Sequence, residues 1–365
     1  MSDFIPPHVR NLDVYQPGKP IEELERELGI SGAIKVASNE NPLGPSPRAL
    51  AALPAALAHL HLYPDAGGFA LRRALAAHYG VELGQLALGN GSNDLLYQLV
   101  LATCEPADEV LTHAYAFLSY RLAAQVAGRP FVAALVTQDL ACDVGALIAA
   151  ITPRTKLVVV GTPNNPTGSV ITRAGMQAIL DALPARALLV IDEAYAEYAA
   201  AWPEVDHADG FALLRTDPRV VVLRTFSKIY GLAGLRVGFA AAAEAVVDVL
   251  GRVGRTFHVS SLAQVGAIAA LGDQDHVTRS AHLARTQLER LQREVAARVY
   301  PSLANFVLID CARPSTAIYD LLLRRGVIVR PMAAWGLPDH IRVSISRESE
   351  LPRVIAALND VLAAR

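Results

Sequence analysis

The chain has 365 residues, 52% of them hydrophobic and 19% charged, with a formal net charge of -2. This length exceeds a typical single domain and predicts two, while the near-neutral charge leaves no electrostatic footprint for nucleic acid. The three cysteines, Cys104, Cys142 and Cys311, are scattered and odd in number, which predicts a reducing, cytoplasmic setting and argues against a disulfide framework.

Taken in chain order, residues 1–11 mix Asp3, Pro6, Pro7 and Arg10 where a secretory signal would need an apolar stretch. Apolar runs such as 237–243 fall well short of the ~20 residues that a membrane-crossing helix requires, so no membrane partner is expected. Residues 1–38 carry prolines and one short amphipathic stretch at 21–28, and are read as an arm that packs on the smaller domain or on a partner subunit. From 39 to 251, short β-rich runs at 109–112, 131–136, 156–160, 187–191, 220–223 and 237–241 alternate with helical periodicity. That alternation predicts an α/β domain with a mostly parallel sheet covered by helices. Residues 252–365 open with one long predicted helix and then offer strands at 306–310, 327–329 and 341–345, the pattern of a smaller α/β C-terminal domain.

Polar segments follow three of the apolar runs: PNNPTG (163–168), DEAY (192–195) and SK (227–228). The C-terminal ends of buried parallel strands are where open α/β sheets bind ligands, and these residue types suit pyridoxal phosphate. Lys228 supplies an amine to hold the cofactor aldehyde as a Schiff base, and Asp192 a carboxylate to keep the ring nitrogen protonated. Asn165 and Tyr195 are candidate donors to the ring phenolate oxygen. The phosphate calls for Arg236, Ser227 and the turn at 89–94, whose Ser92 and Asn93 open an apolar-periodic helix. Asp94 would repel a phosphate and is expected to cap that helix. Each motif alone reads equally well as a turn, a strand end or a cap, so their common order carries the argument. Gly89-Asn90-Gly91 lacks the third glycine of a dinucleotide fingerprint. The ten histidines are dispersed, with only His59 and His61 close together, so no metal is predicted.

The segments NENPLGPSP (39–47), YPDAGG (63–68), LGNGSND (88–94), PNNPTG, DEAY, RTFSKIYGLAGLRVGF (224–239), ANF (304–306), GVIVRP (326–331) and GLPDHIRVS (336–344) follow one another in an order in which the chain resembles the histidinol-phosphate aminotransferases. That family belongs to the class II aminotransferase group of fold type I pyridoxal phosphate enzymes, and the resemblance runs from about residue 15 to the C-terminus. It implies a seven-stranded sheet in the large domain and a homodimer in which Tyr63 reaches the cofactor phosphate of the neighbouring subunit. It further implies that Phe117 stacks on the cofactor ring, with Tyr115 the neighbouring candidate. Arg342 would bind the substrate carboxylate, and Tyr15, Asn39, Asn305 and Arg330 the distal end of the substrate. The implied reaction moves an amino group from histidinol phosphate to 2-oxoglutarate, giving imidazole acetol phosphate and glutamate by a ping-pong route through a Lys228 aldimine.

The chain departs from the family pattern at Ala334-Trp335, at the stretch 256–260 and at Ser346. Trp335 and His258 would add bulk or a titratable ring near the expected substrate end, which keeps an aromatic amino acid aminotransferase, acting on phenylalanine or tyrosine, as an alternative. A threonine-phosphate-type pyridoxal phosphate decarboxylase is a third reading. A cofactor-sensing regulator would need a DNA-binding module, and no length remains for one.

Overall fold

The structure is a computed structural model that describes residues 4–10, 12 and 18–363. Its strands are β1 (Ile34–Lys35), β2 (Leu86–Gly89), β3 (Glu109–His113), β4 (Phe131–Ala134), β5 (Thr155–Gly161), β6 (Leu188–Asp192), β7 (Val220–Thr225), β8 (Gly238–Ala242), β9 (Arg298–Val299), β10 (Phe306–Asp310), β11 (Val327–Ile328), β12 (Arg330–Pro331) and β13 (His340–Ser344). Seven of them form one sheet in the order β2-β8-β7-β6-β5-β3-β4. The five strands from β7 to β4 are parallel, whereas β8 runs antiparallel to both β2 and β7. The architecture is therefore the expected α/β one, with a mostly parallel seven-stranded sheet flanked by helices.

The middle strands read as unbroken Val/Leu/Ile runs because helices cover both faces of the sheet. Val159, Val160, Val190, Ile191, Val221 and Val222 are all fully buried. Register then aligns the strand ends, with Gly161 beside Asp192 and Asp192 beside Leu223. The three polar segments after β5, β6 and β7 consequently leave the sheet at one edge. Successive residues at a strand end point to opposite faces. Asp192 accordingly lines a cavity while Glu193 turns into the protein, 1% exposed.

A second sheet, β12-β13-β10-β9, is antiparallel, and β1 pairs in parallel with β11. The amphipathic stretch at 21–28 is the helix Ile21–Leu28, which buries Leu24. Residues 34–36 are woven into the smaller layer: Val36 N–H donates to Ile328 O and Ser344 N–H to Val36 O, both at 2.8 Å. The single long helix expected after 252 is instead two helices, Ser261–Leu271 and Gln274–Glu294. Asp273 separates them because its carboxylate accepts from His276 N–H as the cap of the second helix, and from Ser46 Oγ at 2.7 Å. The first of the two packs against the helices Pro47–Leu57 and Phe69–Tyr79, on the side of the large sheet, while the second reaches β10. Among the described residues no helix is long and apolar enough to cross a membrane.

Arg224, at the end of β7, ties that strand to the end of β6. Its guanidinium donates to Glu193 at 2.7 Å and Glu197 at 3.0 Å, and lies over the rings of Tyr79 and Phe211 at 5.6 and 5.5 Å. Removing one partner of a buried ion pair leaves an uncompensated charge, at a cost of about 3–5 kcal/mol. Arg224→Met is expected to lower unfolding stability by about that amount, read as a reduced urea midpoint at unchanged slope.

Candidate active site

A cavity of about 240 Å³ opens where β5, β6 and β7 end and where β12 and β13 of the second sheet approach. Three groups of side chains line it.

The first group is a cradle suited to a phosphate. Ser92 and Asn93 form the first turn of the helix Ser92–Thr103, whose cap, Gly91, has φ 86° and no side-chain capping bond. Helix N-termini of this kind present N–H groups and a partial positive charge to an anion. Opposite them, Arg236 Nη1 donates to Ser227 Oγ at 3.2 Å and Nη2 to Asn90 O at 3.3 Å. Asp94, the acidic member of the turn, is turned aside, since Oδ2 accepts from Asn90 N–H and from Gln98 Nε2, both at 3.0 Å. Two glycines keep the cradle open: a Cβ at Gly91 would lie 2.6 Å from Arg236 Nη2, and one at Gly238 would lie 2.5 Å from Ser92 N.

The second group surrounds Lys228. Its Nζ donates to Ser38 O at 3.4 Å and lies 5.7 Å from the centre of the Tyr195 ring. The Tyr195 hydroxyl accepts from Asn39 Nδ2 at 2.9 Å. Burial pushes the Tyr195 phenol up to about 12, against the pull of Arg342 and Asn39, so at neutral pH it keeps its proton as a donor. Burial also raises the Asp192 carboxyl above the usual carboxylate range, while donation from Tyr120 and Ala194 N–H and the charge of Lys228 pull it back down. Phe117, just ahead of the helix Leu118–Val126, also lines the cavity and meets Tyr120 edge-on at 5.8 Å.

The third group is a pair of arginines. Arg330 of β12 and Arg342 of β13 are directly opposed across the antiparallel ladder, and both line the cavity. Arg342 Nη1 donates to Asn165 Oδ1 at 2.6 Å and Nη2 to Ala37 O at 2.7 Å. A guanidinium can only donate, so Asn165 presents its oxygen to Arg342 and keeps its NH2 as a donor elsewhere. The Arg330 guanidinium lies 5.5 Å from the centre of the Trp335 ring, a cation–π contact at the cavity wall.

The structure thus brings together Lys228, Asp192, Tyr195, Asn165, Ser92, Asn93, Ser227, Arg236, Phe117, Asn39, Arg330 and Arg342. Three expected residues are not among them. Asn305 is fully buried behind the wall and donates to Asn39 O at 3.0 Å, so it supports Asn39 and does not face the cavity. Tyr63 is 81% exposed and stacks on Phe257 at 4.6 Å, away from this chain's own cavity. Tyr15 lies outside the described residues. His258 also differs from expectation, because its Nε2 bonds Leu88 O at 2.9 Å beside the phosphate turn and it does not line the cavity. Tyr115 lies outside the wall as well, with its carbonyl accepting from Asn164 Nδ2 at 3.2 Å. Tyr120, by contrast, is a cavity residue that the sequence reading passed over. Its spacing was the available signal, since positions three apart on a helix share a face and Tyr120 follows Phe117 by three.

The family model of aminotransferase class I and II matches residues 31–358. The chain belongs to this family. It is 46% identical to a histidinol-phosphate aminotransferase of Anaeromyxobacter sp. over 99% of its length and 100% of that protein's. It is 45% identical to histidinol-phosphate aminotransferase 2 of Pseudomonas aeruginosa over the full length of both. Among solved structures, histidinol-phosphate aminotransferase from Sinorhizobium meliloti in complex with pyridoxal-5'-phosphate superposes with a TM-score of 0.88 at 30% identity, covering 100% of this chain and 99% of that one. Members of this aminotransferase family need a site for an aldehyde, a ring nitrogen and a phosphate, and the Lys228 amine, the Asp192 carboxylate and the cradle are groups that could hold each in turn. Gly91→Ala would force a residue with a Cβ into a positive φ and against Arg236. The expected result is pyridoxal phosphate binding weaker by about tenfold or more, measured by titrating the ligand-free protein.

Proposed function

We propose that the protein is a pyridoxal phosphate-dependent aminotransferase of histidine biosynthesis that moves the amino group of histidinol phosphate to 2-oxoglutarate. The observation that carries the substrate reading is the opposed pair Arg330 and Arg342 on the wall of the cavity that also holds Lys228. Histidinol phosphate and 2-oxoglutarate differ in size and shape but share an anionic oxygen cluster, and planar guanidinium forks match such clusters in a bidentate manner. The high identity to histidinol-phosphate aminotransferases over the whole chain supports the same reading.

When bound, the cofactor supplies an electron sink for the bond broken at the substrate Cα. This chain's residues do the rest. Arg236, Ser227 and the N-terminus of the helix Ser92–Thr103 would hold the phosphate, and Phe117 would pack against the ring. The Asp192 carboxylate would hold a proton on the ring nitrogen, and Asn165 and Tyr195 would donate to the ring oxygen. Lys228 Nζ would take the proton from the substrate Cα and deliver it to the cofactor carbon that carried the aldehyde, on the other side of the shared nitrogen, which requires an amine that can reach both carbons.

The assembly proposed is a cytoplasmic homodimer. Tyr63 is exposed alongside Leu60, Leu62 and Phe69, and a second copy covering this surface would let Tyr63 reach the partner's phosphate cradle. Within one chain, the arm at 1–38, a large domain from 39 and a smaller C-terminal domain remain the proposed division. The large domain is proposed to extend through Leu271, because the helix Ser261–Leu271 packs on its side.

Two-substrate initial-rate measurements with histidinol phosphate and 2-oxoglutarate are expected to give parallel double-reciprocal lines; intersecting lines would contradict the scheme. Lys228→Ala is expected to fold normally and to lose turnover by a factor on the order of 10⁴.

A further inference from the structure

Among the described residues Asp192 is the only carboxylate on the cavity wall, and the structure shows how it is held. Tyr120 Oη donates to Oδ2 at 2.9 Å and Ala194 N–H donates to Oδ1 at 3.1 Å. Tyr120 is 2% exposed, and its hydroxyl sits against Gly161, the residue paired with Asp192 across β5 and β6. A Cβ on Gly161 would lie 3.0 Å from that hydroxyl. The same phenol ring meets Phe117 edge-on, so one helical turn carries both the cavity aromatic and the partner of the carboxylate.

We propose that Tyr120 is a positioning residue that fixes Asp192 in its ionised form, facing the ring nitrogen of the cofactor, with Gly161 leaving the space its hydroxyl needs. The inference rests on the pyridoxal phosphate reading of the site. A buried carboxylate tends to take up a proton and lose its hold on a cationic ring, and a donor fixed on one oxygen opposes this. Tyr120 can only donate here, because burial and the neighbouring Asp192 carboxylate keep its own proton in place. The other groups facing Asp192 are Lys228, whose charge favours the ionised carboxylate, and Tyr195, which stays neutral and has Arg342 beside it. Among the described residues Tyr120 is the one side chain that donates a hydrogen bond to Asp192, beside the backbone donor Ala194 N–H.

The sign of the effect follows directly. Asp192 is ionised above its pKa, and affinity for a protonated ring falls as the pH drops through that value. Loss of the Tyr120 donor moves the value up, so the fall begins at higher pH. The test is the pH dependence of pyridoxamine 5'-phosphate binding to ligand-free wild type, Tyr120→Phe and Gly161→Ala, read by fluorescence quenching. This ligand keeps the ring and phosphate and has no aldehyde to react with Lys228. Tyr120→Phe is expected to match wild type at high pH, to show its midpoint about one pH unit higher, and to bind about tenfold more weakly on the acid flank. Gly161→Ala, which displaces the hydroxyl without removing it, is expected to shift the midpoint in the same direction by less. Coincident midpoints, or an equal loss at every pH, would reduce Tyr120 to a packing residue and overturn the inference. Failure of wild type to bind the ligand at any pH would overturn the cofactor reading and the inference with it.

Discussion

The bond from Arg342 to Asn165 is the contact on which the arrangement of the site depends. Arg342 belongs to the antiparallel sheet and Asn165 to the turn after β5 of the large sheet, so the 2.6 Å bond between them joins the two sheets at the cavity wall. The second arm of the same guanidinium reaches Ala37 O, in the segment that leads from β1 into Asn39. Burying a charge is costly unless its donors are met, and two short bonds to segments distant in sequence make this position hard to abandon. Asn39 extends the link: Ser344 Oγ accepts from its N–H at 2.9 Å and donates to its Oδ1 at 2.8 Å, while Nδ2 goes on to Tyr195. One continuous chain of hydrogen bonds therefore runs from the small sheet to the residues around Lys228.

This chain of bonds also explains how the cavity holds several charged groups without collapse. Among the described residues its cations, Lys228, Arg236, Arg330 and Arg342, come from the loop after β7 and from the second sheet, and its one carboxylate comes from the end of β6. Strand alternation sends the other acid of the DEAY segment to Arg224, which clamps β6 to β7 beneath the site. Asp192 faces the cavity, with its geometry set by the phenol and backbone donors that flank it.

Much of this was legible in the residues. The parallel core was readable because 156–160, 187–191 and 220–223 are runs of Val, Leu and Ile broken only by Lys156 and Ala187 at their starts, and the polar segments that follow them had to emerge at one edge. β2 was not, because Leu86–Gly89 is four residues long and its last residue opens a glycine turn. The break at 272–273 carried a local signal, Gly272 as a helix stop and Asp273 as the cap of the next helix, but the apolar periodicity on both sides masked it. Asn305 and His258 looked like substrate residues by position, yet both serve backbone carbonyls, a use that composition does not distinguish from ligand binding. Tyr120 was missed for a related reason: a helical tyrosine reads as core until a carboxylate 72 residues away is seen beside it.

The most direct test of the central claim is a single half reaction with purified protein in its pyridoxal phosphate form. Histidinol phosphate, phenylalanine and glutamate would each be mixed with the protein, and conversion of the cofactor to its amino form followed by absorption. The account predicts rapid conversion by histidinol phosphate and by glutamate, with phenylalanine much slower. Faster conversion by phenylalanine than by histidinol phosphate would contradict it and would direct attention to Trp335 beside Arg330.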